Sequence, residues 1–214
     1  MSEYIFGYIL MFEKEIRENI TLQNQKEWNW RLASPLNTKA IGIAGTGSIG
    51  KDFARIAKAF GMKTVGYSYS GAPVEHFDVV YSGDEFNDFL SQSDYVVSVL
   101  PNTETTNDMF GTTAFSSMKD SAVFINVGRG NAVDEEALVA AVEEKQIKAA
   151  VLDVMKEEPL PESSPLWNTE DIYVTPHMSG NFVSDALIDI FAENYRRFCA
   201  GEDLQYVIDL EKGY

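Results

Sequence analysis

Three side chains of complementary chemistry each follow a short apolar run in the C-terminal half of the chain: Arg129, Glu158 and His177. Arg129 lies in Asn126-Val127-Gly128-Arg129-Gly130, Glu158 in Glu157-Glu158-Pro159, and His177 in Thr175-Pro176-His177-Met178-Ser179-Gly180. A carbonyl that receives hydride needs a proton donor, and histidine has the side chain whose ordinary pKa lies nearest neutrality. A carboxylate beside an imidazole favours its charged form and fixes its orientation. A guanidinium fork polarises a carbonyl and anchors a carboxylate. In isolation such an arginine is more often a surface ion pair, and such a glutamate a solvated acid. The three in succession suit hydride transfer at a C–O bond.

The elements that must position them are strands. From Ala40 onward apolar strands and amphipathic helices alternate, the pattern of a parallel sheet wound on both faces. Strands are expected at 40–44, 63–67, 78–81, 94–100, 123–127, 149–154 and 172–175, with a brief helix at 85–90. A helix from Asp134, its N-cap, to Glu144 and a last one from Ser184 to Ala200 complete the set. Ligands of such sheets bind beyond the carboxyl ends of the strands, where Arg129, Glu158 and His177 stand. The expected class is therefore α/β, a doubly wound parallel Rossmann-type sheet of about seven strands with helices on both faces. His76 has no comparable company and is read as an ordinary loop residue.

The first strand runs into Gly45-Thr46-Gly47-Ser48-Ile49-Gly50 and then a helix patterned by Ile49, Phe53, Ile56, Ala57 and Phe60. A strand–GxGxxG–helix unit is built to hold a dinucleotide pyrophosphate on a helix N-terminus. Gly45 permits the tight turn, Gly47 keeps a Cβ away from the phosphates, and Gly50 lets the helix lie close on the sheet. Ser48 and Ile49, which open the helix, are expected cofactor contacts as well. At the end of the second strand, an acidic residue would hold the adenosine ribose and repel a 2′-phosphate. The chain has Ser68-Tyr69-Ser70 there, so NAD and NADP both stay open.

The 214 residues carry a formal net charge of −16, which argues against binding nucleic acid or an anionic membrane. The single cysteine, Cys199, has no intrachain partner, as expected of a cytoplasmic protein. The opening apolar run from Tyr4 to Phe12 is too short to span a bilayer, and no signal peptide is read in it. No metal is expected. Residues 2 to about 23 set Ile5, Ile9, Phe12, Ile16 and Ile20 on one stripe of a long amphipathic helix that needs a partner, and a two-fold dimer is the expected one. A linker with Trp28, Trp30 and Pro35 leads on to the first strand.

The chain resembles the D-isomer-specific 2-hydroxyacid dehydrogenases over almost its whole length. The resemblance is carried by AGTGSIG at 44–50, SDYVVSVLPNTETT at 93–106, FINVGRGNAVDEEAL at 124–138, LDVMKEEPLPESSPLW at 152–167 and TPHMSG at 175–180. It implies that Arg129 binds substrate, that Glu158 pairs with the histidine, and that His177 is the acid/base. It also implies cofactor contacts from Leu100, Pro101, Thr106, Val127, Gly128, Arg129, Asp153, His177, Ser179 and Gly180. PLPESSPLW and the tail LQYVIDLEKGY look most like the branch acting on glyoxylate and hydroxypyruvate, and Glu158 departs from the glutamine of formate dehydrogenases. Serine–arginine–serine is frequent in NADP-using relatives; Tyr69 stands here in place of the arginine.

The implied organisation is an N-terminal helix and linker over 1–36, a NAD(P)-binding domain over 37–180, and a C-terminal helix and tail over 181–214. The start at SEYIFGYIL resembles the helix that enters the cofactor domain, so most of the family's N-terminal substrate domain is expected to be missing. Three readings follow: an NAD(P)-dependent oxidoreductase of small 2-oxoacids, an NAD(P)-binding module without turnover, and a dimerisation fragment.

Overall fold

The computed structural model describes residues 1–180 and 184–208. Residues 209–214 of the tail quoted above lie outside it. Two compact units are present, Met1–Ser179 and Gly180–Tyr214.

In the first unit, seven strands form one all-parallel sheet: β1 (Ala40–Ala44), β2 (Lys63–Tyr67), β3 (Val79–Tyr81), β4 (Tyr95–Ser98), β5 (Val123–Asn126), β6 (Ala149–Leu152) and β7 (Ile172–Val174). Their order is β3-β2-β1-β4-β5-β6-β7. The chain therefore starts in the middle, winds out to one edge, then crosses back and winds to the other. That reversal between β1 and β4 opens a crevice at the strand ends, the place where such sheets take ligands. The register is continuous across three neighbouring strands, with Ser98 opposite Asn126 and Asn126 opposite Leu152, so β4, β5 and β6 end level on one rim.

Both faces are covered. On one, α1 (Ser2–Glu13) and α3 (Ser48–Ala59) pack Ile5, Ile9, Phe53, Ala54 and Ala57 against Ile41, Ile43, Val97 and Ile125. On the other, α4 (Phe86–Ser91), α5 (Thr112–Ser116) and α6 (Glu135–Glu143) pack Phe89, Phe115, Leu138 and Ala141 against Val96, Phe124 and Ala150. Strand residues alternate between these two clusters, as the pleat requires, and buried strands on both sides explain their continuous Val/Ile/Ala composition. Asp134 caps α6 as expected, accepting from the Ala137 N–H. The helix α5 has no counterpart among the expected elements.

The N-terminal segment differs most from expectation. The single long helix is two, α1 and α2 (Ile16–Gln25), broken where Glu15 takes a left-handed backbone with φ 49°. The stripe is divided with it. Ile5 and Ile9 are fully buried in this chain's own core, whereas Ile16 and Ile20 are 44% and 54% exposed. The first half of the stripe therefore needs no second subunit, because its partner is α3 and the sheet. Phe12 likewise packs on Tyr173, the ring centroids 5.6 Å apart. Ile9→Ala is expected to cost about 2–5 kcal/mol of unfolding free energy, as for a filled core site. Urea unfolding measures it; a loss no larger than that of an exposed isoleucine such as Ile20→Ala would contradict the placement of α1 in the core.

In the second unit, α7 (Ser184–Ala200) ends at Gly201, whose φ of +69° closes the helix.

Candidate active site

The glycine-rich turn sits between β1 and α3. Gly45 has φ +105° and its N–H bonds to the Tyr67 carbonyl, so the chain turns directly off the strand end. A Cβ on Gly50 would lie 1.9 Å from the Gly45 carbonyl oxygen, which means that the turn and the first turn of α3 touch backbone to backbone. A Cβ on Gly47 would meet nothing within 4 Å. The helix has no side-chain cap, and among the described residues the N–H groups of Ser48, Ile49 and Gly50 have no partner. An uncapped, twelve-residue helix with free N–H groups facing open space fits an anionic pyrophosphate.

At the end of β2, Ser68 accepts from the Gly71 N–H at 3.2 Å and Ser70 from the Ala72 N–H at 3.3 Å, while Tyr69 is exposed. Both serine hydroxyls can still donate, so the loop fits ribose hydroxyls or a phosphate. Beyond β4, Leu100 is buried, and the Thr106 hydroxyl donates to the Pro101 carbonyl at 2.8 Å, closing the 101–106 turn.

Beyond β5, a buried asparagine sets the arginine loop. Asn126 Oδ1 accepts from the Gly128 N–H at 3.1 Å and Nδ2 donates to the Arg129 carbonyl at 3.0 Å. Val127 and Gly128 are buried, whereas Arg129 is exposed and its Nη1 donates to the Gly128 carbonyl at 2.7 Å. Among the described residues Arg129 makes no ion pair. Its guanidinium retains donors for a ligand. A Cβ on Gly130 would lie 2.0 Å from the Met155 carbonyl carbon, so this loop rests directly on the backbone that follows β6.

That same backbone holds the glutamate. Glu158 Oε1 accepts from the Met155 N–H at 3.0 Å, and Oε2 meets His177 Nδ1 at 2.8 Å. Burial raises the Glu158 pKa, but the bonds from His177 and Met155 outweigh it and hold the carboxyl below its ordinary value. An ionised carboxylate only accepts, so Nδ1 carries a proton and Nε2 is the nitrogen left to exchange one. The histidine side chain is 51% exposed. Its backbone has φ 50°, a left-handed conformation uncommon outside glycine that its surroundings hold in place.

The surroundings are Asp153. This fully buried carboxylate accepts from the Thr175 hydroxyl at 2.6 Å, the Met178 N–H at 2.9 Å and the Ser179 N–H at 2.8 Å, while its carbonyl accepts from the His177 N–H at 2.9 Å. Asp153 thus stitches the whole turn that carries His177. Gly180, next along, begins the second unit. The three residues singled out by type therefore stand beyond three neighbouring strands on one rim. Glu158 and His177 are in direct contact, and Arg129 joins them through the Gly130–Met155 backbone contact. Sequence reasoning missed Asn126 as a holder of the arginine loop; a polar residue ending the buried run VFIN was the available signal.

Burial raises the Asp153 pKa too, yet hydrogen bonds from Ser179, Thr175 and Met178 hold it below the ordinary carboxylate value. A depressed folded-state pKa contributes stability above the unfolded value, near 3.9, and that stability is lost as pH falls through the folded one. Asp153→Asn is therefore expected to destabilise the chain at pH 7 by about 1–3 kcal/mol. The gap to the parent narrows as pH falls below about 4. Urea unfolding of both proteins from pH 7 to pH 3 measures this, and a gap that stays constant would contradict it.

Residues 6–179 match the family model of the D-isomer specific 2-hydroxyacid dehydrogenase NAD binding domain. The chain is 31% identical to glyoxylate/hydroxypyruvate reductase A of Photorhabdus laumondii, over 100% of this chain and 68% of that one. Among solved structures, a D-isomer specific 2-hydroxyacid dehydrogenase family protein from Aeromonas salmonicida is 40% identical with a TM-score of 0.91, covering 97% of this chain and 67% of that one. The NADPH-dependent glyoxylate/hydroxypyruvate reductase of Sinorhizobium meliloti, in complex with NADP and sulfate, is 30% identical with a TM-score of 0.92, covering 100% and 69%. The chain thus spans about two thirds of the length of each. A parallel sheet with the reversal at β1/β4, an uncapped glycine turn and a family match over four fifths of the residues agree: the chain belongs to the D-isomer-specific 2-hydroxyacid dehydrogenases, and residues 6–179 are their NAD-binding domain.

Proposed function

We propose that this chain binds NAD or NADP along the carboxyl ends of its strands and passes hydride between the nicotinamide and a small 2-oxoacid or D-2-hydroxyacid. The observation that carries the reading is the His177 Nδ1 to Glu158 Oε2 contact of 2.8 Å, which leaves Nε2 as the nitrogen to donate a proton. Arg129 anchors the substrate carboxylate and polarises its carbonyl. The bound nicotinamide supplies the hydride. Gly45, Gly47, Ser48, Ile49 and Gly50 take the pyrophosphate, Ser68, Tyr69 and Ser70 the adenosine end, and Leu100, Pro101, Thr106, Val127, Gly128, Asp153 and Ser179 line the remainder. Relatives named as glyoxylate/hydroxypyruvate reductases support that substrate class.

Residues 1–36 serve in this reading as the interdomain and dimer element, 37–180 as the cofactor domain and 181–214 as the substrate-domain remnant, in a cytoplasmic homodimer. Exposed Ile16, Ile20, Trp28, Trp30 and Leu32 support the dimer. A second reading, a dinucleotide-binding module without turnover, is favoured by the half-exposed His177 in a chain that spans about two thirds of its relatives. Fluorescence titration with NADH and NADPH, followed by steady-state oxidation of each with glyoxylate and hydroxypyruvate, separates them. Binding with turnover supports the first reading, binding alone the second, and failure to bind either cofactor contradicts both.

A further inference from the structure

The turn that carries His177 is tied to the N-terminal helix by one hydroxyl. The Tyr4 phenol oxygen lies 2.6 Å from Thr175 Oγ1, and Thr175 Oγ1 lies 2.6 Å from Asp153 Oδ1. The direction of this chain follows from counting protons. The Asp153 carboxylate is ionised and accepts only, so the one Thr175 proton goes to it. The Thr175 oxygen then accepts, and Tyr4 donates. Burial pushes the Tyr4 phenol well above its ordinary value, so the donor stays protonated.

Asp153 in turn holds the Met178 and Ser179 N–H groups on either oxygen, and its carbonyl holds the His177 N–H. Without the phenol, Thr175 is free to rotate its hydroxyl away, and one of the bonds that keeps His177 at φ 50° loses its direction.

We propose that Tyr4 is a positioning residue for His177: its donation to Thr175 fixes the Thr175–Asp153 bond, and through it the turn that presents the imidazole to Glu158. The role rests on the reading of His177 as acid/base. It also makes α1, which packs in the core beside α3, an integral part of the site.

The test combines kinetics with a signal that needs no turnover. The chain has two histidines, so imidazole nitrogen–proton spectra contain two sets of signals, assigned with His76→Gln. Tyr4→Phe keeps the ring and removes only the hydroxyl. It is expected to shift the His177 signals and leave those of His76 in place, and to lower kcat by roughly 10- to 100-fold at nearly constant KM for the reduced cofactor. Thr175→Val is expected to do the same, Thr175→Ser to restore the parent spectrum and rate, and Tyr4→Phe combined with Thr175→Val to be no worse than Thr175→Val alone. A Tyr4→Phe protein with parent His177 signals and parent kcat, whatever its thermal stability, overturns the proposal. Failure of the acid/base reading itself shows differently, as an unchanged rate in His177→Asn, and the imidazole spectra still report on Tyr4 in that case.

Discussion

Replacing His177 with asparagine is expected to lower kcat for reduction of glyoxylate by about 10²- to 10⁴-fold, the usual contribution of a positioned general acid. Asparagine is the informative choice because the position has φ 50°, which asparagine tolerates better than alanine. The turn therefore survives while the proton donor does not. Affinity for the reduced cofactor is expected to stay nearly unchanged, since the pyrophosphate contacts lie at the other end of the crevice on α3. Stopped-flow or steady-state assays of kcat, with a parallel fluorescence titration, measure the two quantities separately. A His177→Asn protein that retains the parent rate would remove the acid/base role from His177. A parallel loss of cofactor affinity would show that the turn had collapsed.

The second large effect is expected at the opposite end of the crevice. Gly50→Ala places a methyl group 1.9 Å from the Gly45 carbonyl oxygen, a backbone atom that cannot swing aside. The helix must then lift off the turn, at a cost of about 1–3 kcal/mol typical of an overpacked site. The free N–H groups of Ser48 and Ile49 move with it. Weakening of reduced-cofactor binding by about tenfold or more is expected, each tenfold corresponding to about 1.4 kcal/mol. Gly47→Ala is the contrast, because a Cβ there meets no protein atom and can interfere only with a ligand. Gly47→Ala should therefore weaken binding without loss of thermal stability, whereas Gly50→Ala loses both. A Gly50→Ala protein as stable as the parent and binding as tightly would contradict the close approach.

Much of this was legible in the residues themselves, for physical reasons that also mark where legibility stops. The strands β1 and β2 have the bounds expected, because short apolar runs stopped by glycine or by a serine-rich turn leave little latitude. Strands β4 to β7 end one or two residues early, since the expected bounds followed hydrophobicity into residues such as Leu100 and Val127, which are buried but lie past the strand ends. The break between α1 and α2 was not legible. A single left-handed residue preserves the spacing of Ile9, Phe12 and Ile16, and Glu15 is not one of the glycines or asparagines that advertise such a position. Nor did the stripe reveal that its first half is covered by the chain's own α3, because periodicity gives the apolar face of a helix and not what lies on it.

The site shows the same division. That Arg129, Glu158 and His177 stand beyond three neighbouring strands was legible, because each follows an apolar run that reads as a strand. Their supports were not. Asn126 acts through both ends of its amide on a loop three residues away, and Tyr4 through a bond that spans 171 residues of sequence. Tyr4 read as one more apolar residue of a stripe, and only the packing of α1 beside β7 brings its hydroxyl to Thr175.

Following the hydride tests the proposed transfer most directly. The 214-residue chain is incubated with NADPH carrying deuterium at both C4 positions of the nicotinamide, together with glyoxylate, and the product is analysed by mass spectrometry. Glycolate bearing one deuterium on carbon is expected, formed by the parent and nearly absent with His177→Asn. Unlabelled glycolate, or no product from a chain that binds the cofactor, would contradict it.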